Sequence, residues 1–274
     1  MPMTALLFTE DEWNTAMPKV VADMTAYLRP YRAAIYEHHA AAEDDEEHGT
    51  GWGSGSYLRL GDKVFILTNE HVSCVRRDNR VLAHQFDGQE NIRRIVGDHV
   101  EYPYPLDLAL LPVDMAAWAA PSNLSLAIGI EQIALAHDPV EGEILTLTGF
   151  AGERVSFRFG TVLTKGTCYT AREAELPESD QFSPRFHFGI EYRPDLATDV
   201  IGRDGLPDPH GFSGSTVWNT GFVAARMAGV PWSPSMAKVT GVVWGWPSGN
   251  ALLVATRAEY LRSFLLGVNP RPST

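Results

Sequence analysis

The 274-residue chain is poor in cysteine, poor in net positive charge, and lacks a long uninterrupted apolar run. Its two cysteines, Cys74 and Cys168, are too few for the disulfide framework that staples small secreted domains. Lys and Arg number 22 against 34 Asp and Glu, and the formal charge of −12 excludes a surface built to grip a phosphate backbone. The longest uncharged stretch, 239–256, is broken by Gly-Trp-Pro-Ser-Gly-Asn at 245–250, so it predicts two short strands rather than a membrane-spanning helix. The first residues carry no basic segment ahead of an apolar one, and no secretory leader is expected. The expectation is therefore a cytoplasmic protein with neither nucleic acid nor membrane as partner.

What is present fits an ordinary globular chain, 45% hydrophobic and 20% charged, long enough for one large domain or two small ones. The charge is uneven. Residues 1–48 hold three basic and ten acidic side chains, a balance of −7 within the total of −12. Within them Val20, Val21, Met24, Leu28, Tyr31 and Ile35 recur at helical intervals, predicting an amphipathic helix that Pro30 kinks or splits. The acidic run 43–47 reads as a solvated tether, with a grip on a regulatory protein partner as the alternative. Residues 1–48 thus form an acidic helical extension.

From residue 49 the texture changes to short apolar runs cut by Gly, Pro, Asn and Asp, the pattern of an all-β barrel or sandwich. Strands are expected at 56–60, 63–68, 108–113, 143–150, 155–163, 186–192, 216–218, 239–245 and 251–255. An Ala-rich stretch, 114–139, connects two halves, 49–139 and 140–274, and a helix over 257–266 closes the chain. The loops expected at 170–184 and 193–210 are long enough to be candidates for function.

Three segments carry chemistry. His71 ends an apolar strand in Leu67-Thr-Asn-Glu-His71-Val, Asp107 opens another in Pro105-Leu-Asp107-Leu-Ala-Leu-Leu, and Ser213 sits between glycines in His210-Gly-Phe-Ser213-Gly-Ser. Each alone has a plain structural explanation as a turn or a satisfied histidine. Together they supply nucleophile, base and orienter, the roles that acyl transfer requires. A serine hydroxyl is a poor nucleophile at neutral pH unless an imidazole takes its proton, and a carboxylate fixes the tautomer of that imidazole. The flanking glycines let the amides of Gly211 and Ser213 converge on a developing oxyanion. The order His, Asp, Ser excludes the α/β-hydrolase arrangement, whose order is Ser, Asp, His and whose motif ends in Gly where Ser215 stands.

On these residues the chain resembles the trypsin-like, chymotrypsin-fold serine peptidases, and among them the bacterial HtrA-like branch, here without a stretch for a PDZ domain. The similarity rests on Gly51-Trp-Gly-Ser-Gly55, the Leu-Thr-Asn-Glu-His71-Val and Asp107-Leu-Ala-Leu-Leu motifs, Gly211-Phe-Ser213-Gly-Ser, Thr240-Gly-Val-Val-Trp244-Gly245 and the start of the closing helix. It implies an all-β fold of two antiparallel six-stranded barrels with an N-terminal helical extension and a C-terminal helix. It also implies a triad of His71, Asp107 and Ser213, an oxyanion hole at Gly211 and Ser213, and substrate contacts at Asp208, His210, Val243, Trp244 and Gly245. The function implied is peptide-bond hydrolysis on a protein or peptide, with no cofactor and no metal, by an enzyme held in a resting state until activated. A catalytically silent protease-like module that binds a protein partner is the competing reading.

Departures from the family refine this. Val72 stands where many secreted members carry a disulfide-bonded cysteine, and Phe212 where zymogen-activated members carry an aspartate that pairs with a new N-terminus. Pro207 occupies the position of the trypsin-type pocket aspartate, and Val242 that of the histidine of Glu-specific relatives, so a small or apolar P1 residue is expected. His38, His39 and His48 lack ligand spacing with carboxylates or cysteines. Because Cys74 and Cys168 are expected in different halves, both should be free: titration of the denatured chain with a thiol reagent should count two thiols, and a count of zero would refute the assignment.

Overall fold

The computed structural model describes residues 7–39, 48–78, 80–89, 91–158, 161–198, 200, 205–247 and 251–268. Helix α1, Glu10–Leu28, starts at a reciprocal cap in which Thr9 Oγ1 accepts from the Glu12 amide and Glu12 accepts from the Thr9 amide. Glu10, Asp11 and Glu12 fill its first turn, where the helix dipole favours negative charge. Val20, Met24 and Leu28 are buried at intervals of four, so one face is committed to the core. The α-helix stops at Leu28, and Pro30 sits in a 3₁₀ turn over Arg29–Tyr31.

The helical part of the N-terminal extension ends there, which corrects the expected helix through Ile35. Residues Arg32–His39 form strand β1. Ala33 and Ile35 face one apolar cluster and Ala34 and Tyr36 another. A strand buried on both faces shows no polar alternation, and the four-residue spacing of Tyr31 and Ile35 mimics a helix. The acidic run 43–47 lies outside the described residues.

The first sheet continues with β2 (His48–Leu60), β3 (Lys63–Thr68), β4 (Val81–Gln85), β5 (Arg93–Arg94), β6 (Val100–Tyr102) and β7 (Leu108–Pro112). All neighbours are antiparallel in the order β5-β4-β1-β2-β3-β7-β6. The expected closed six-stranded barrel is thus a seven-stranded open sheet, with edges only two and three residues long. Edges this short leave few unpaired backbone groups and remove the need for closure.

The second unit is a closed barrel of β8 (Ile144–Gly149), β11 (Thr167–Ala174), β12 (His187–Glu191), β13 (Thr216–Asn219), β14 (Lys238–Gly245) and β15 (Leu252–Arg257). The single strand expected at 155–163 is a separate hairpin of β9 (Val155–Arg158) and β10 (Thr161–Thr164). The loop expected from 170 starts only after Ala174: β11 has little apolar pattern, but it pairs with β8 from Thr167 to Arg172 through its backbone. Among the described residues four further α-helices follow, α2 (Glu70–Ser73), α3 (Met115–Trp118), α4 (Phe222–Met227) and the closing α5 (Ala258–Val268). Cys74 and Cys168 are both free and lie in different units, as expected.

Between the two units runs an apolar seam. From the first sheet come Leu58, Leu67, Leu108 and Leu110, from the barrel Ile144, Trp218, Val239 and Val242, with α1 and α5 sealing it through Met24, Leu28, Leu261 and Phe264. In β2 and β3 the alternate residues Tyr57, Val64 and Ile66 turn to the other face and form the interior of the first sheet. The connection 119–143 ties the units with parallel bridges, Leu58 to Ile128 and Ile133 to Val239.

One buried group in the first sheet makes stability depend on pH. His84 in β4 is buried, with Nδ1 3.0 Å from the Tyr57 hydroxyl. Burial, reinforced by Arg93, pushes its pKa down to about 3. The folded chain therefore holds it neutral, whereas the unfolded chain protonates it near pH ~6.5. This contribution to stability is complete above that value and is lost as the pH falls towards 3. Urea unfolding should show a shallower loss of stability between pH 6.5 and 4 in His84→Phe than in wild type; identical slopes would refute it.

Candidate active site

His71 and Asp107 touch on the first-sheet side of the seam, and Ser213 stands on the barrel side, where its carbonyl accepts from the Ser54 amide of β2 at 2.8 Å. Strand β3 ends at Thr68, and His71 occupies the short helix α2 that follows. Ser73 on that helix donates to Glu101 Oε1 at 2.6 Å, and Glu101 also accepts from His99 at 2.7 Å, so β6 props the helix from outside. Asp107 immediately precedes β7 and is buried, with φ of +49°. Few non-glycine residues hold that conformation without support, although aspartate tolerates it better than most.

The support comes from three successive carbonyls. Asn69 Nδ2 donates to Asp107 O at 2.7 Å, Thr256 Oγ1 to Leu106 O at 2.8 Å, and His187 Nε2 to Pro105 O at 2.7 Å. Two of these donors belong to the barrel, so the aspartate loop is held from both units. His187 Nδ1 accepts from the Ser183 amide at 3.0 Å, which fixes the proton on Nε2. Burial pushes the His187 pKa down and keeps this ring neutral.

Asp107 engages His71 twice. Its Oδ2 lies 2.6 Å from His71 Nδ1 and its Oδ1 accepts from the His71 amide at 3.0 Å. A carboxylate only accepts, so the imidazole proton sits on Nδ1 and Nε2 carries the free lone pair. The residue after His71, Val72, is buried and packs against Gly53.

Ser213 is presented by a turn closed by the Phe212 amide, which donates to Pro209 O at 2.9 Å. Gly211 takes φ of +97° there, and a Cβ would come 2.4 Å from Phe150 O, so glycine is required. Gly214 is equally constrained, with φ of +89° and a Cβ position 2.0 Å from Ser54 O. Phe212 is buried in the barrel core, with its ring edge-on to Tyr192. The turn is thus anchored by apolar packing where a charged side chain would need an ionic partner. His210 O accepts from the Gly152 amide at 3.0 Å. Because carbonyl and amide point in opposite directions across a trans peptide, the Gly211 N–H is turned to the other side. Among the described residues the Gly211 and Ser213 amides have no hydrogen-bond acceptor, so both are available to an anion.

Ser213 Oγ donates to Trp244 O at 3.5 Å, and among the described residues it shares no hydrogen bond with His71. Trp244 therefore faces the Ser213 hydroxyl with its carbonyl. Val243 does not: its amide donates to Ser215 O at 2.9 Å and its carbonyl accepts from Gly214 at 2.8 Å. Gly245 lies at an irregularity in the pairing of β14 with β15. Asp208 Oδ1 is in hydrogen-bond contact with His210 Nδ1 on the turn, and the His210 side chain is 81% exposed and edge-on to Trp246. Partial burial opposes ionisation of Asp208, but hydrogen bonds from the His210 amide and ring outweigh it and hold the carboxyl below its usual range.

Sequence reasoning singles out His71, Asp107 and Ser213 and the glycines beside Ser213. It does not find Ser54, Thr256 or His187, which act on backbone carbonyls 157, 150 and 82 residues away. Asn69 falls inside the histidine motif, but nothing in the motif tells what its amide holds.

No family model matches the chain, and no curated protein matches it. Among solved structures it is similar to the MamO protease domain from Magnetospirillum magneticum, at 13% identity over 85% of this chain and 95% of that one, with a TM-score of 0.46. It is similar to the serine protease domain of the Sesbania mosaic virus polyprotein, at 12% identity over 85% of this chain and 91% of that one, TM-score 0.44. The Rv3671c protease from M. tuberculosis in its active form shares 16% identity over 94% of this chain and 89% of that one, TM-score 0.49.

Proposed function

We propose that this protein is a serine endopeptidase of the trypsin-like kind, working through Ser213, His71 and Asp107. The observation that carries the reading is the doubly bonded His71–Asp107 pair, which leaves His71 Nε2 as a base. In the reaction the Ser213 hydroxyl leaves the Trp244 carbonyl and gives its proton to His71 Nε2 as Oγ attacks the scissile carbonyl. The oxyanion accepts from the Gly211 and Ser213 amides, whose direction costs no reorganisation at that moment. His71 returns the proton to the leaving amine, and water then hydrolyses the acyl-enzyme by the same steps in reverse.

The expected substrate is a protein or peptide with a small or apolar P1 residue. Tyr192, Leu206, Val243 and Leu253 belong to one apolar cluster under the turn. The Pro207 carbonyl is occupied by the Tyr192 hydroxyl at 2.6 Å, and Asp208 is turned to His210. No described side chain of this group offers a buried charge to Lys or Arg.

The bond from Ser213 to Trp244 O favours a second reading, a catalytically silent module that binds a protein partner with the same cleft. It equally fits a resting enzyme awaiting substrate, since active-site hydrogen bonds tighten on binding. Labelling separates the two. Wild-type protein should react with a fluorophosphonate and cleave peptides, and Ser213→Ala should lose both, because removal of a triad member leaves only about 10³–10⁴-fold acceleration over water. An unlabelled wild type would overturn the active peptidase and favour the silent module. A peptide library should return small or apolar P1 residues; strict cleavage after Arg or Lys would overturn that assignment.

A further inference from the structure

The turn that presents Ser213 belongs to the barrel, yet one side chain of the first sheet holds its backbone. Ser54 in β2 is fully buried, and each of its polar atoms is engaged. Its hydroxyl accepts from the Phe150 amide at 2.8 Å and donates its single proton to the Gly211 carbonyl at 2.6 Å. Its amide donates to the Ser213 carbonyl at 2.8 Å, and its own carbonyl accepts from Thr68 Oγ1 at 2.8 Å. Two of these four bonds end on Gly211 and Ser213, whose amides have no acceptor among the described residues.

A glycine is the residue most able to reverse its φ, and reversal at Gly211 would swing its N–H away from the cleft. Two peptide planes decide this. The plane before Gly211 is held at its carbonyl by the Gly152 amide, and the plane after it by Ser54 Oγ and by the turn bond from Phe212 to Pro209. The direction of the Ser54 bond is not free: with the Phe150 N–H occupying an acceptor site of the hydroxyl, the one remaining proton goes to Gly211. Linked bonds of this kind strengthen one another in a dry site.

We propose that Ser54 is the positioning residue for the oxyanion donors, coupling the docking of the first sheet to the shape of the Gly211–Ser213 turn. This rests on the peptidase reading above. Ser54 has no bond to His71 or to the Ser213 hydroxyl, so its loss weakens transition-state stabilisation and leaves the base unchanged. Removing an oxyanion donor outright costs 10²–10³-fold in rate, and misplacing one should cost about 10–100-fold.

The test compares wild type, Ser54→Ala and Ser213→Ala in fluorophosphonate labelling rate and in inhibition by phenylboronic acid, whose tetrahedral adduct places an oxygen among the oxyanion donors. In Ser54→Ala the labelling rate should fall about 10–100-fold, the boronate inhibition constant should rise by a similar factor, and the apparent pKa of the labelling pH profile should stay where wild type has it. A purely structural role would instead lower the reactive fraction while leaving the boronate affinity of that fraction intact, and that result overturns the proposal, as does an unchanged rate. If Ser54→Ala does not fold, Ser54→Cys, close in volume but a weak donor, carries the same expectation. A wild type that labels no faster than Ser213→Ala refutes the peptidase reading itself, and the proposal with it. A wild type that labels while Ser54→Ala matches it refutes the proposal alone.

Discussion

The apolar seam between the open sheet and the closed barrel is the constraint on which the site depends, because the site is divided across it. His71 and Asp107 stand on one side and Ser213 on the other, so their spacing is set by how Leu58, Leu67, Leu108 and Leu110 pack against Trp218, Val239 and Val242. Burial of large side chains contributes on the order of 1.5–3 kcal/mol each, but it is non-directional. It brings the two halves together without fixing the angles between the groups of the site.

Direction comes from hydrogen bonds that cross the seam. His187 and Thr256 reach from the barrel to the carbonyls before Asp107, and Ser54 reaches from the first sheet to the carbonyls of Gly211 and Ser213. Each half of the site is therefore held by the opposite unit. These are buried bonds between uncharged groups, which contribute modestly when made and cost more when one partner is left unsatisfied. Such asymmetry favours one docking geometry over its near neighbours. The helix α1 adds to the seam rather than standing apart from it: Val20, Met24 and Leu28 enter the same core as the strands that carry His71 and Asp107. The acidic N-terminal extension is structural at least as far as β1.

Much of this was legible in residues and spacing. Short apolar runs at 63–68, 108–113 and 239–245 locate strands because one or both faces are apolar, and the chemistry-bearing residues stand at or just beyond strand ends, where the chain turns and side chains are free of the sheet. Strands β1 and β11 were not legible, for opposite reasons. β1 is apolar on both faces and matches a helical spacing by coincidence, while β11 is held by backbone pairing with β8 and has half-buried polar side chains. The open form of the first sheet was hidden too, since closure depends on edge strands only two and three residues long.

The sequence by itself determined the chemical inventory: a hydroxyl between glycines, an imidazole after an apolar strand, a carboxylate before another, two free thiols, and an acidic N-terminal segment. Those follow from residue type and local pattern. Only the tertiary structure decided that the imidazole is bound twice by the carboxylate, that the hydroxyl turns to the Trp244 carbonyl, and that Ser54 holds the turn. Each of these joins groups tens to more than a hundred residues apart and includes a bond to backbone atoms that every residue carries, and no pattern of side chains along the chain records where such atoms will point.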